Sequence, residues 1–164
     1  MSWLLEQGEA RESGWAGIAA LAPRAVGALS EVQEEVWDHA PPVLLELARL
    51  RMASLLGATW ALEARSPRAV EAGLTEEKVA ALSSWPTSPL FDDTERACLD
   101  LTEQFLIDVN QITDAQVDAV RERIGTAATY AFVSALWAFE QLQRMSLVLG
   151  VAPTPDAAGL APRT

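Results

Sequence analysis

Apolar side chains recur at intervals of about 3.6 residues along most of this chain, and this repeat constrains its fold more than any other feature. Near the C-terminus, for example, Phe132, Leu136, Phe139 and Gln143 fall on one side of a predicted helix. No run of alternating apolar and polar residues between turn signals indicates a β-strand. We therefore predict an all-α, single-domain bundle of several helices.

Proline, glycine and capping residues set the predicted helix boundaries. Pro23 and the pair Pro41-Pro42 favour helix starts, Gly57 can end a helix, and Pro67 predicts a kink or early stop after Ser66. Thr75, Asp92 or Asp93, and Thr113 are candidate N-caps. The predicted helices span residues 23–38, 43–56, a third beginning at 58, then 75–83, 92–109, 113–124 and 126–149.

Length and composition predict one domain with flanking segments. The chain has 164 residues, 50% of them hydrophobic, which is enough apolar material for one ordinary core. We expect residues 1–22, with Trp3 and Trp15, to pack on the bundle or on a neighbouring subunit. Residues 22–150 form the helical domain, and residues 151–164, rich in Pro, Ala and Gly, are expected to be a disordered tail.

Charge and cysteine content exclude several classes of protein. A net charge of −11, spread along the chain, argues against nucleic-acid binding, which needs clustered Lys and Arg. No stretch reaches the roughly 18 apolar residues needed to cross a bilayer, and no leader-like segment begins the chain, so we expect no membrane partner and a cytoplasmic protein. The single cysteine, Cys98, cannot close an internal disulfide.

The most distinctive stretch begins at Glu46 and continues to Gly73. It resembles the carboxymuconolactone decarboxylase and alkylhydroperoxidase D-like superfamily, in which a Glu is followed further along by Asn-Gly-Cys-x-Tyr-Cys-x-x-x-His. The family's Glu and Gly fall on Glu46 and Gly57, and its aromatic residue falls on Trp60. Its two cysteines and its histidine fall on Ala58, Ala61 and Arg65.

The resemblance extends over residues 22–150, because later segments occur in the family's order and spacing. It implies an alkylhydroperoxidase D-like helical fold and assembly into a trimer or hexamer. It also identifies the chain as a degenerate member, because the two sulfurs and the histidine of the motif are missing.

Those substitutions remove the chemistry of a dithiol peroxidase. One thiolate must attack the peroxide and a second thiol must resolve the sulfenic acid, but Ala58 and Ala61 carry no nucleophile. Arg65 cannot release its proton as the family's histidine does. The chain is therefore not a dithiol peroxidase of this type, and no cofactor is expected.

Glu46 is the surviving member of the relay and allows two interpretations. A buried carboxylate needs a partner, so Glu46 can form an ion pair with Arg49, Arg51 or Arg65. Alternatively, Glu46 remains a catalytic acid or base in a pocket where Arg65 anchors a small acidic ligand. Trp60 would then stack on that ligand, or else fill the space of the lost cysteines.

Two other reactive side chains have simpler expected roles. Cys98 is expected to be a small buried hydrophobe, although a single thiol can also be oxidised or link subunits. His39 lies at a predicted helix end, where a cation is favoured. Because it is the only histidine and the acidic residues show no ligand spacing, no metal site is predicted.

Two functions remain open at this point. The first is a non-peroxidase oligomeric binding or partner protein, either a homo-oligomer or a mixed oligomer with a cysteine-bearing relative. The alternative is a non-redox enzyme of decarboxylase, isomerase or hydrolase type, with Glu46 as acid or base and Arg65 as anion anchor. An open cavity shared by Glu46 and Arg65 would favour the enzyme.

Overall fold

The computed structural model describes residues 14–160, which form helices, turns and loops without a strand. The all-α prediction is therefore confirmed for this part of the chain. The α-helices are α1 Gly14–Leu21, α2 Pro23–Glu35, α3 Pro42–Leu56, α4 Thr59–Glu63, α5 Pro67–Glu71, α6 Glu76–Ala80, α7 Asp93–Ile107, α8 Asp114–Ile124 and α9 Thr126–Leu149. Short 3-10 turns lie at Val36–Asp38, Leu82–Ser84 and Val109–Gln111.

Two predicted N-caps form full capping boxes. Asp92 accepts hydrogen bonds from the backbone N–H of Thr94 and Glu95, both at 2.8 Å, and the Glu95 carboxylate accepts from the Asp92 N–H at 3.0 Å. Thr113 and Gln116 make the same reciprocal pair at the start of α8. Each box satisfies N–H groups that have no partner within the helix, so these helix starts are set by local sequence.

The chain reverses between α3 and α4 at Gly57, which has a φ of 75°. Glycine adopts this left-handed conformation without the Cβ penalty that other residues meet. The helix end predicted at Gly57 is therefore confirmed, and the reversal brings α4 into contact with α3. Helix α4 then ends at Glu63, before Ser66 and Pro67, which confirms the predicted early stop.

Helix α3 lies at the centre of the bundle and packs against α7 and α9. Its residues from Leu44 to Leu50 are all buried, including Glu46 and Arg49. A helix covered on all sides is normally apolar throughout, so two charged residues in this position require mutual pairing. Aromatic residues from other elements complete the core around it, namely Trp37, Trp85, Phe91, Phe132 and Phe139.

The C-terminal segment differs from the prediction of a disordered tail. Ala157, Ala158 and Leu160 are 6%, 3% and 5% exposed and pack in the main core. Composition alone suggested disorder, but small residues also allow a close approach: a Cβ on Gly159 would lie 2.3 Å from the backbone oxygen of Gln33. Residues 157–160 thus pack on the bundle in this structure, while residues 161–164 lie outside the described range and their disorder stays a prediction.

At the N-terminal end, Trp15 and Ile18 of α1 are buried against the bundle. Trp3 and the rest of residues 1–13 lie outside the described range, so packing of that segment on a neighbouring subunit stays a prediction. Within residues 14–160, no helix combines the length and the hydropathy needed to cross a membrane.

Candidate functional site

The candidate site lies where α3, the reversal at Gly57 and α4 meet. Ala58 and Ala61, the positions predicted to have lost the redox cysteines, have no exposed surface. They pack with Ala53 of α3 in a small cluster of methyl groups. The place of the two sulfurs is thus taken by close apolar packing.

Glu46 and Arg49 form a two-point ion pair beside this cluster. Arg49 donates from Nε to Oε2 of Glu46 and from Nη2 to Oε1, both at 2.7 Å. The side chains are 0% and 3% exposed, and their spacing of three residues places them on one face of α3. Parallel N–H to oxygen bonds of this kind are the strongest geometry available to an arginine and a carboxylate.

Backbone groups satisfy the remaining hydrogen-bonding capacity of the pair. The Ser66 N–H donates to Oε1 of Glu46 at 3.0 Å. Arg49 also donates to the carbonyl oxygens of Ala61 and Ala64, at 2.8 and 2.9 Å. These carbonyls lie at the end of α4 and in the turn after it, where the helix supplies no backbone N–H to bind them. The ion pair therefore joins α3 to the end of α4.

Arg65 does not lie opposite Glu46, which corrects the predicted pairing. Its Nε and Nη2 donate to the two carboxylate oxygens of Glu76 at 2.9 and 3.1 Å, and its Nη1 donates to the carbonyls of Leu62 and Ala64. Glu76 is largely exposed. Within the described residues, Arg65 is thus engaged by Glu76 and backbone carbonyls, while Glu46 is engaged by Arg49 and the Ser66 N–H, and this geometry does not favour an enzyme with Arg65 as anion anchor.

Trp60 fills space beside the alanine cluster. Its ring packs against both the Ala53–Ala58–Ala61 cluster and the main core, and its Nε1 donates to the Ser146 hydroxyl on α9 at 2.8 Å. A cavity of about 10 Å³ adjoins the ring. That volume is close to the smallest that holds one water, so this cavity has no room for a stacked ligand.

Cys98 is buried in α7, as predicted, with 2% of its surface exposed. The pKa of its thiol is raised from 9.0 to about 12, chiefly by burial and also by the carboxylates of Asp92 and Glu95, while Arg123 acts in the opposite direction. Because the thiolate is the nucleophile, a thiol protonated at neutral pH and closed to solvent has little reactivity.

His39 follows the 3-10 turn Val36–Asp38, at the predicted helix end. Its Nε2 lies 2.8 Å from a carboxylate oxygen of Glu35, one helical turn earlier, and both side chains are exposed. Among residues 14–160, no group of three or more His, Cys, Asp or Glu side chains could hold a metal ion.

Sequence reasoning missed two buried glutamines close to this site. Gln33 of α2 donates from Nε2 to the carbonyl of Ala138, and Gln143 of α9 donates to the carbonyl of Arg49 at 3.0 Å. Gln143 falls among apolar residues on one face of its predicted helix. A polar side chain in that position was the available signal for a buried hydrogen bond. Gln33 gave no signal, because it lies in a mixed polar stretch.

Comparison with known proteins matches the fold and the family. The model of the Carboxymuconolactone decarboxylase family matches residues 20–104. A solved structure from Agrobacterium tumefaciens, described as a protein of unknown function and putative antioxidant defence protein AhpD, superposes with a TM-score of 0.72. It is 18% identical and covers 81% of this chain and 92% of its own. No curated protein sequence gives a significant match.

Proposed function

This chain belongs to the carboxymuconolactone decarboxylase family, and from that premise we propose that it is a self-associating binding or partner protein without peroxidase activity. The observation that carries the proposal is the buried pair of Glu46 and Arg49. A proton-transfer group must reach a reacting atom, and both oxygens of Glu46 are occupied by Arg49 and the Ser66 N–H.

The sulfur chemistry gives independent support. The two positions that match the family's cysteines hold buried alanines, and Cys98 is a buried, protonated thiol in another helix. A peroxidase would need an accessible thiolate and a second thiol close to it. Neither requirement is met by the side chains of the described residues.

Self-association is supported by the outward face of α9. Tyr130, Trp137 and Val148 are 78%, 50% and 66% exposed. They lie in one row with Ser134, Gln141 and Arg144, in which successive positions alternate between intervals of four and three residues. We call this row, without Arg144, the α9 stripe. A helix of 24 residues is about 36 Å long at 1.5 Å per residue. Exposed apolar side chains grouped on one face of a soluble protein mark a candidate surface for a partner.

A second copy of this chain is the partner that fits the α9 stripe. The only charged residues of α9, Glu140 and Arg144, pair with each other at 2.8 Å, so the helix carries no net charge. Two chains of charge −11 repel through most of their surfaces, and a neutral face minimises that cost. Two antiparallel copies of α9 would place Trp137 of each chain near Gln141 of the other, a self-complementary contact.

Two measurements on the full chain test the proposal. Turnover of an organic hydroperoxide with a dithiol reductant should not exceed the rate without protein, and light scattering should give the mass of an oligomer. The resemblance to the family predicts a trimer or hexamer, and of these only a hexamer can contain the two-fold contact between copies of α9. Peroxide turnover would refute the first part of the proposal, and a monomeric mass would refute the second.

The mixed-oligomer form of the proposal needs its own experiment. Native mass spectrometry of the chain co-expressed with a cysteine-bearing relative would reveal assemblies that contain both subunits. Detection of homo-oligomers alone would restrict the proposal to self-association.

A further inference from the structure

The small cavity beside Trp60 lies beneath the C-terminal segment, residues 151–160. Its walls include Gln33 of α2, Arg49 of α3, Gln143 of α9 and Ala158 of the segment. With Trp60 of α4, five separate parts of the chain therefore meet around a volume of about 10 Å³.

Two residues that line this cavity each carry a buried hydrogen-bond acceptor without a partner among the described residues. Gln33 and Gln143 are 0% and 1% exposed, and the Oε1 atom of each accepts no hydrogen bond from any described residue. Rotating either amide would not help, because each Nε2 donates to a helix carbonyl that an oxygen would repel. A buried acceptor without a donor is costly, so the pair indicates a missing donor in the cavity.

The surroundings define the chemistry of that donor. Two amide oxygens can only accept hydrogen bonds, so they disfavour an anion. A small neutral molecule with two donor hydrogens satisfies both oxygens. Water is the donor whose size matches the volume.

The C-terminal segment covers this cavity through close packing and apolar contacts. Ala157, Ala158 and Leu160 are buried against the bundle, and Gly159 lies against the backbone of Gln33. The backbone hydrogen bonds of the segment beyond Val151 stay within it, for example from the Leu160 N–H to the Pro155 oxygen at 2.8 Å. A segment held in this way can open without breaking the hydrogen bonds of the helices.

We propose that Gln33 and Gln143 form a site for one buried water that donates to both amide oxygens, and that residues 151–160 are a removable cover over it. The cover keeps the water and the adjoining face of Arg49 out of contact with solvent. When the cover opens, the two amide oxygens become available to other small neutral donors.

The water is tested by NMR on the isotopically labelled full chain and by a high-resolution crystal structure. We expect magnetisation transfer from a long-lived water to the side-chain amide protons of both glutamines. The crystal structure should place one water within hydrogen-bond distance of both Oε1 atoms. An empty cavity, or a water bonded to only one of the two oxygens, would overturn the shared site.

The cover is tested with a matched pair of glycine substitutions. Gly159 has a φ of 66° and its Cβ would collide with Gln33, whereas Gly73 has a φ of 100° and a Cβ there meets nothing within 4 Å. Gly159→Ala should therefore displace the segment, while Gly73→Ala controls for backbone strain alone. Leu160→Ala serves as a milder variant that weakens the contact without a collision.

The readout is hydrogen exchange of the side-chain amides of Gln33 and Gln143. In Gly159→Ala and Leu160→Ala we expect this exchange to accelerate by about tenfold or more, while backbone amides of α9 keep their protection. In Gly73→Ala it should match the wild type. Unchanged exchange in both cover variants would overturn the proposal, and so would acceleration that occurs only together with loss of α9 protection.

Discussion

Glu46 and Arg49, three residues apart on α3, bind each other through two hydrogen bonds of 2.7 Å and are both closed to solvent. Removing one partner of such a pair leaves an uncompensated buried charge. We expect Arg49→Met to lower the free energy of unfolding by about 3–5 kcal/mol, measured by urea denaturation.

Arg65→Met is the matched control for this substitution. Its partner Glu76 is exposed, and surface ion pairs contribute at most about 1 kcal/mol. The double variant Glu46→Leu with Arg49→Met should regain part of the lost stability, because no lone charge remains. Equal effects of Arg49→Met and Arg65→Met would contradict the role given to the buried pair.

Restoring the cysteines should not restore peroxide reduction. Ala58→Cys with Ala61→Cys places both sulfurs at positions with no exposed surface, and the proton relay is still missing. We expect no hydroperoxide turnover and slow labelling of the new thiols by a thiol reagent until the chain is unfolded. A third substitution, Arg65→His, tests whether the absent histidine alone prevents hydroperoxide turnover. Turnover in either variant would show that the site is more open than described.

Cys98 should make stability depend on alkaline pH. Its pKa is raised from 9.0 to about 12 in the folded protein, so the unfolded chain loses the thiol proton first. The contribution of Cys98 is therefore complete below pH 9.0 and declines as the pH rises toward about 12. Under reducing conditions, the difference in unfolding free energy between wild type and Cys98→Ala should shrink over this range; a constant difference would argue against the shift.

The α9 stripe should control the oligomeric state. Trp137→Glu adds a charge at the middle of the stripe and, in a two-fold contact, places two like charges near each other. We expect light scattering to show a smaller assembly or a monomer, with unchanged helical circular dichroism. Ile107→Glu is the control, because Ile107 is 70% exposed at the end of α7, away from the stripe. Dissociation by both variants would point to general charge repulsion instead.

The parts of the fold that depend on neighbouring residues were predictable from sequence. The capping boxes at Asp92 and Thr113 and the reversal at Gly57 each involve residues within four positions of one another. The resemblance to the family supplied the arrangement of these helices, and it placed Glu46 and the two alanines at the site.

The sequence alone could not decide among the candidate partners of the site residues, because that choice also depends on how distant segments meet. Three arginines were candidates for Glu46, and the choice of Arg49 depends on the carbonyls at the end of α4, which Arg49 also binds. The packing of residues 151–160 depends on the space that Gly159 leaves beside Gln33, and composition holds no information about that space.

The hydrogen bond from Trp60 to Ser146 has a consequence for assembly, because Ser146 lies on the opposite side of α9 from the stripe. Gln143, on the same inner side, donates to the backbone of Arg49. A second copy that docks on the outer side and shifts this helix along its axis would strain both bonds at once. One helix thus links the proposed contact surface to the interior beside the positions that match the family's cysteines.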